Sequence, residues 1–273
     1  MLSSPYDPEA RYSRKGDATW VGYKVQLTET CDADAPRVIT DVETTPATTP
    51  DHGMVPVVHA ALTARARLPA EHLVDTGYTD AATLLESVRD RGVRLVGPVA
   101  ADPSWQARAG FAQADFAIDW ERQVATCPAG KASAAFRLSA HAPGVPAWEG
   151  RFARRDCTPC SSRAQCTRAA RDPRALTLLP RDQYEALHAV QRAQTTAAFR
   201  EAYAARAGIE STHAQAIRRS GLRRCRHLGL AKTRLQHVAT AVALTVVRVT
   251  EWAAGARPAP TRQSVVVRLQ PAA

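Results

Sequence analysis

Long apolar runs are missing from this 273-residue chain. The best candidate, VATAVALTVV from Val238, is stopped by Arg248. It is too short to span a bilayer, which points to a buried helix and against a membrane partner. The opening MLSSPYDPEARYSRKG has no apolar core of the kind a secretory signal needs, so a cytoplasmic protein is expected. Cysteine is sparse, six residues in all. In that compartment these are expected as reduced thiols or metal ligands rather than disulfides. Acid is absent over one long stretch: after Glu210 no Asp or Glu occurs until Glu251.

What is present is basic and globular. The hydrophobic fraction of 45% is ordinary for a folded domain, and 36 Lys plus Arg against 26 Asp plus Glu give a formal charge of +10. Such a surplus suggests a polyanionic partner, with nucleic acid first. The chain is long enough for one sizeable domain with an insertion, or for two small ones. No internal repeat is visible.

WVGYKVQLTET, from Trp20, alternates Val21, Tyr23, Val25 and Leu27 on one face, and PRVITDVETTP brings a second β-rich run. Together they predict a hairpin with a loop of about five residues. A helix follows Asp51, its expected N-cap. EHLVDTGY, then TDAATLLESVRDRG, then VRLVGPV reads as strand, helix capped by Thr79 or Asp80 and closed by Gly92, and strand. That order predicts an α/β sheet with helices packed on it. From Ala100 to about Leu179 Trp105, Phe111, Phe116 and Trp120 are scattered among Gly, Pro and four cysteines, the pattern of an insertion. Beyond it a nearly continuous helix is predicted through YAARAGIESTHAQ, then a last helix around Lys232 to Ala254 and a Pro-broken tail.

Asp75 falls at the end of a buried strand, where open α/β sheets place their ligands and where a carboxylate can bind a divalent cation; capping of the DTGY turn is the plainer alternative. Tyr203, Arg206 and Glu210 stand three and four residues apart, one face of a helix at 100° per residue. A surface Arg–Glu pair beside a Tyr would use the same spacing. Just beyond, RRSGLRRCRHLGLAKTR carries Arg218, Arg219, Arg223, Arg224, Arg226, Lys232 and Arg234 with no acid. Such clustering is costly unless phosphates neutralise it. Two carboxylates beside a basic surface form part of the ligand set that holds two Mg2+ or Mn2+ ions for phosphoryl transfer.

At these residues the chain resembles the C-terminal part of bacterial insertion-sequence transposases of the DDE type, in the branch with a cysteine-rich insertion. HLVDTGYTD, YAARAGIE, GLRRCRHLGLAKTRLQHVATA and DPEARYSRKGDATWVGYKVQLTETCD carry the likeness, which spans nearly the whole chain. By this resemblance the fold is α/β, an RNase H-like (retroviral-integrase-like) mixed sheet flanked by helices and interrupted by a small cysteine-rich insertion. Its parts would be 1–99 and 180–256 of the catalytic domain, 100–179 of insertion and 257–273 of tail. The implied activity is metal-dependent cleavage and strand transfer of transposon-end DNA. Asp75 and Glu210 take the second and third acidic positions, Tyr203 and Arg206 the rest of the Tyr-x2-Arg-x3-Glu pattern. Double-stranded DNA, as ends and target, is the implied partner, and a homodimer follows from the handling of paired ends.

Two departures stand out. The family's first catalytic Asp lies on a strand before the GYKVQL hairpin, a segment this chain is expected to lack as a truncated copy. Asp7 and Asp17 sit in polar sequence, and Asp32 reads as loop. Where the extended pattern has Lys, this chain has Ile217, with Arg218 one step later. A non-catalytic DNA-binding fragment or inhibitor of transposition is the alternative function.

Cys127, Cys157, Cys160 and Cys166 could close a tetrahedral structural Zn2+ site, with four buried thiols as the alternative. Cys31 and Cys225 read as ordinary thiols. His213 reads as a hydrogen-bond partner of a nearby acid. Trp105, Trp120 and Trp148 read as the packing of a small core.

Overall fold

The computed structural model describes residues 3–142 and 145–257; the predicted tail, save residue 257, lies outside them. The chain divides into two compact units, Met1–Leu73 with Arg200–Ala273, and Val74–Phe199.

The first unit opens with an antiparallel sheet in the order β1 (Arg11–Lys15), β2 (Ala18–Glu29) and β3 (Ile39–Pro46). Lys15 pairs with Ala18, so Gly16 sits in a two-residue turn and supplies its φ of +60°, a backbone region open to glycine. The β2–β3 loop is longer than predicted. The ladder ends at Glu29 and Ile39, and the Thr30 amide donating to the Val38 carbonyl (2.9 Å) closes the base of the loop. The buried residues are also not the predicted apolar stripe. Val21 is exposed, while Gln26, Asp41 and Thr44 are buried. Two of these polar positions find partners: Thr44 bonds His237 Nδ1 at 2.9 Å, and Asp41 pairs with Arg65.

Asp51 does not cap the next helix. Its carboxylate takes Lys24 at 3.0 Å, and a short 3-10 turn, His52–Met54, leads into α1 (Val55–Ala64). Met54, Val55, Val58 and Leu62 are buried, whereas Val57 is exposed. β4 (Glu71–Leu73) ends this segment.

The second unit begins at Val74, whose amide donates to the Val96 carbonyl at 3.0 Å. α2 (Ala81–Arg91) is capped by Asp80, which accepts the Thr83 amide at 2.9 Å, and stops at Gly92 with φ +66°. β5 (Arg94–Val96) follows. Gly97 is a close approach: a Cβ there would lie 2.5 Å from the Val74 carbonyl oxygen. β6 (Ala117–Asp119) pairs with β7 (Val124–Thr126). β8 (Ser133–Ala142), β9 (Val145–Phe152) and β10 (Ala175–Leu178) form an antiparallel sheet with β9 in the middle. Between β9 and β10 lie two one-turn helices, α3 (Arg154–Cys157) and α4 (Arg163–Cys166). Phe116, Phe136, Phe152, Leu176 and Leu178 make the core. Trp120 and Trp148 pack against it as expected, and Trp105 instead lies under the Arg168 guanidinium at 4.6 Å. α5 (Arg181–Ala193) packs on α2.

The predicted continuous helix is three helices. α5 gives way to α6 (Ala197–Ala204), and α6 to α7 (Ala207–Ser220). The Thr196 hydroxyl accepts the Phe199 amide at 3.2 Å and so starts α6 anew. At the second break the Arg206 and Gly208 amides bond three residues back, to Tyr203 and Ala205. Gly208 favours such a break, because glycine in a helix interior costs about 1 kcal/mol relative to Ala. α8 (Leu230–Ala253) completes the first unit. At the level shown, the protein is a mixed α/β chain of several small sheets and helices. Among the described residues no helix is long and apolar enough to cross a membrane.

A candidate nucleic-acid interface

The basic tract runs from the end of α7 through a loop, residues 221–229, into the start of α8, and the loop is held at both ends. α7 closes at Gly221, φ +62°, with the Gly221 and Leu222 amides bonding back to Ile217 and Ala216. Leu222 turns inward onto Ala216 and Leu244, the apolar contact that such a helix stop calls for. Gln236 of α8 then reaches into the loop, donating to the Arg224 carbonyl and accepting the Arg226 amide, both at 2.9 Å. Cys225 Sγ lies 2.9 Å from the Thr233 hydroxyl.

The far end is fixed by two acids from the start of the chain. Asp7 is 6% exposed and accepts the Gly229 amide at 3.0 Å and the Tyr23 hydroxyl at 2.8 Å. Glu9 accepts the Leu230 amide at 2.8 Å. Two carboxylates therefore satisfy the open amides where α8 begins. Burial would raise the Asp7 pKa, but the amides of Gly229, Glu9 and Ala10 and the Tyr23 hydroxyl outweigh it and hold the carboxyl below its usual range. Burial, then the Asp7 bond, pushes the Tyr23 phenol up.

With the loop backbone engaged inward, the cations point out. Arg218, Arg219, Arg223, Arg224, Arg226 and Lys232 are exposed, and among the described residues none of them pairs with a carboxylate. Arg234 differs, since Glu43 neutralises it at 3.3 Å. The surface therefore holds six uncompensated charges of the seven in the tract, an arrangement suited to phosphates.

Tyr203, Arg206 and Glu210 meet around the α6–α7 break rather than along one helix. The Arg206 guanidinium lies 5.8 Å from the Tyr203 ring centre and 3.0 Å from the Glu210 carboxylate. Arg206 is largely buried, whereas the Glu210 side chain is 72% exposed. One turn on, α7 is clamped from beneath. Arg248 of α8 bonds Glu29 at 2.9 Å, Thr212 at 2.6 Å and Gln215 at 3.0 Å. Glu29 and Arg248 are 5% and 13% exposed. His213 is largely buried, and that burial lowers its pKa even though the Glu29 carboxylate pulls the other way.

Asp75 belongs to the other unit. Its Oδ1 accepts the Thr76 amide at 2.8 Å at the start of a 3-10 turn, Thr76–Tyr78. Asp32, at the exposed tip of the β2–β3 loop, is indeed loop, and Asp7 is committed to α8.

The four cysteines converge. Cys127, Cys157, Cys160 and Cys166 line one pocket of about 30 Å3 together with Phe111 and Phe152. The Lys131 amide donates to Cys127 Sγ at 3.3 Å across a turn made by Gly130, φ +76°. Burial raises the Cys166 thiol, with Arg174 opposing. Among the described residues, however, no group of three or more His, Cys, Asp or Glu side chains stands in positions that could hold a metal ion.

Sequence reasoning missed Asp7, Glu9, Leu222 and Gln236, which position the basic loop. DPE is readable as a turn or cap, but nothing local ties it to a helix more than two hundred residues away.

No curated protein and no solved structure matches the chain. Residues 126–250 match the family model described as Transposase DDE domain. That stretch is less than half of the 273 residues; it contains the four cysteines of the pocket, Tyr203, Arg206, Glu210 and the basic loop, and leaves Asp75 outside.

Proposed function

We propose that this chain is a DNA transposase of the DDE type, acting on transposon ends and target through phosphoryl transfer. The observation that carries the reading is the match of residues 126–250 to a transposase domain, within which lies an exposed loop of uncompensated arginines. The fold is proposed to be RNase H-like, with 100–179 as its insertion. Arg218, Arg219, Arg223, Arg224, Arg226 and Lys232 contact DNA phosphates; Arg234 contributes less because Glu43 already holds it.

Asp75 and Glu210 are proposed as the catalytic carboxylates, with Tyr203 and Arg206 fixing Glu210. Bound Mg2+ or Mn2+ would polarise the scissile phosphate and lower the pKa of the attacking hydroxyl. Such ions keep several waters and take substrate phosphates beside one or two carboxylates, so the number of protein ligands does not decide the chemistry. A second reading is a DNA-binding protein without chemistry, which the exposed arginines support by themselves, since phosphate contacts need no catalytic carboxylate.

Strand cleavage of duplex DNA with Mn2+ separates the two. The transposase reading expects cleavage that falls by at least about a hundredfold in Glu210→Gln and in Asp75→Asn. Cleavage unchanged in both variants would remove these residues from the mechanism, and salt-sensitive DNA binding with no cleavage would establish the second reading.

Zinc is proposed at the cysteine pocket from residue type and the shared cavity alone, since among the described residues the thiols do not stand in metal-holding positions. Purified protein is expected to hold about one zinc per chain, absent after Cys157→Ser with Cys160→Ser. Metal-free wild-type protein that unfolds at the same temperature with and without added zinc would leave four half-buried thiols with no metal.

A further inference from the structure

The first two strands reach past the sheet they belong to. β1 pairs with Ala18–Gly22 of β2, whereas β3 pairs with Tyr23–Glu29, so among the described residues no third strand backs residues 18–21. Residues 11–22 therefore form a two-stranded ribbon, about 14 Å long at 3.4 Å per residue, with Gly16 in its tip. Residues 14–19 are all exposed.

The base of the ribbon is fastened to the arginine loop. Asp7 and Glu9, which take the Gly229 and Leu230 amides, stand just before β1. Tyr23, which donates its hydroxyl to Asp7, stands just beyond the last ribbon residue of β2. Ribbon and loop thus share one junction within one unit.

They also share a sign of charge. RYSRKGDATWVG carries Arg11, Arg14 and Lys15 against the single acid Asp17. Arg11 turns back onto the Pro8 and Ala10 carbonyls. Arg14 donates to the Gly16 carbonyl at 2.8 Å and lies 3.9 Å from Asp17, with both side chains in solvent; an exposed pair of that length holds weakly. Lys15 pairs with no carboxylate among the described residues. The free cations therefore gather at the tip.

Strand alternation sorts the two faces. Tyr12 opposite Val21 and Arg14 opposite Thr19 share the outer face, where Tyr12 is 54% and Val21 49% exposed. Trp20, opposite Ser13, lies on the other face and is half-buried. An apolar pair beside a guanidinium matches what base edges offer, a thymine methyl and the acceptors of guanine.

We propose that this ribbon enters the major groove of the duplex whose phosphates the arginine loop holds, with Tyr12, Arg14, Thr19 and Val21 toward the base edges and Lys15 at a phosphate. Two strands about 4.8 Å apart fit a groove about 12 Å wide, which admits a β-ribbon. The loop then fixes position on the backbone, and the ribbon reads the bases. The inference rests on DNA binding, common to both readings of function above, and needs no catalysis.

The full chain with a mixed-sequence DNA duplex tests it. A trimmed variant replaces Arg14–Thr19 by Asn-Gly, which closes a two-residue hairpin on Ser13 and Trp20 and removes exposed residues alone. Wild type should shield guanine N7, an atom of the major groove, from methylation by dimethyl sulfate. The trimmed variant should lose that shielding and bind at least about tenfold more weakly. Arg14→Ala with Lys15→Ala should lower the salt slope by about one to two units, whereas Tyr12→Ala with Val21→Thr should weaken binding at an unchanged slope. Thermal unfolding of each variant confirms folding. Wild-type binding without N7 shielding, or a trimmed variant that binds and shields like wild type, would overturn the ribbon's place and leave the arginine loop in its role. Wild-type protein with no affinity for the duplex would remove the DNA reading and this inference with it.

Discussion

Asp7 shows how one side chain can serve a distant surface. It accepts amides of its own turn, the Tyr23 hydroxyl and the Gly229 amide, so removing it leaves a half-buried phenol and several amides unsatisfied. Asp7→Ala is expected to cost about 2 to 4 kcal/mol in urea denaturation; a loss below about 0.5 kcal/mol would mean the bonds are replaceable. His59 and His72 make a different prediction. Their ring nitrogens lie 3.1 Å apart, and burial first, then the neighbouring His59, brings the His72 pKa to about 4. Its folded pKa lies below the unfolded value near 6.5, so the unfolded chain binds the proton more readily between those values. Stability is complete above about pH 6.5 and falls as pH drops toward 4, by about 2 to 3 kcal/mol from this residue. His72→Gln should flatten that part of the stability–pH curve. A mutant curve as steep as wild type would place the loss elsewhere.

At the scale of elements, α7 and α8 are joined by a buried polar clamp and the loop between them is held at both ends. Breaking the clamp with Arg248→Met strands the Glu29 carboxylate, an expected loss of about 3 to 5 kcal/mol, whereas Glu29→Gln with Arg248→Met should recover most of it. Failure of the second change to recover stability would show that Arg248 acts through Thr212 and Gln215 instead. Elements with strong local signals were legible in the sequence. Asp80 and Gly92 delimit α2 as their residue types require. Elsewhere the deciding contact was not local. The helix through YAARAGIE breaks at Arg206 even though periodicity runs on across it, and the β2–β3 ladder stops at Glu29, where the side chain turns to Arg248 rather than to solvent.

In the whole molecule, acid-poor sequence becomes cationic surface in one place and uncharged surface in another. The stretch between Glu210 and Glu251 supplies both the arginine loop and the apolar side of α8, and composition alone could not divide it. Two groupings were legible in residue types: Tyr203, Arg206 and Glu210 meet, and the four cysteines share a pocket. The supports were not legible, because Asp7, Glu9, Glu29 and Gln236 reach their partners only through the fold.

The claim that DNA is held by the loop after α7 is tested most directly by duplex affinity measured against salt, for wild type and for Arg223→Ala, Arg224→Ala and Arg226→Ala combined. Wild-type log affinity should fall linearly with log salt, and the triple variant should lose about two to three units of that slope, near 0.9 per phosphate contact. A variant with the wild-type slope would contradict the account and move the DNA to another face.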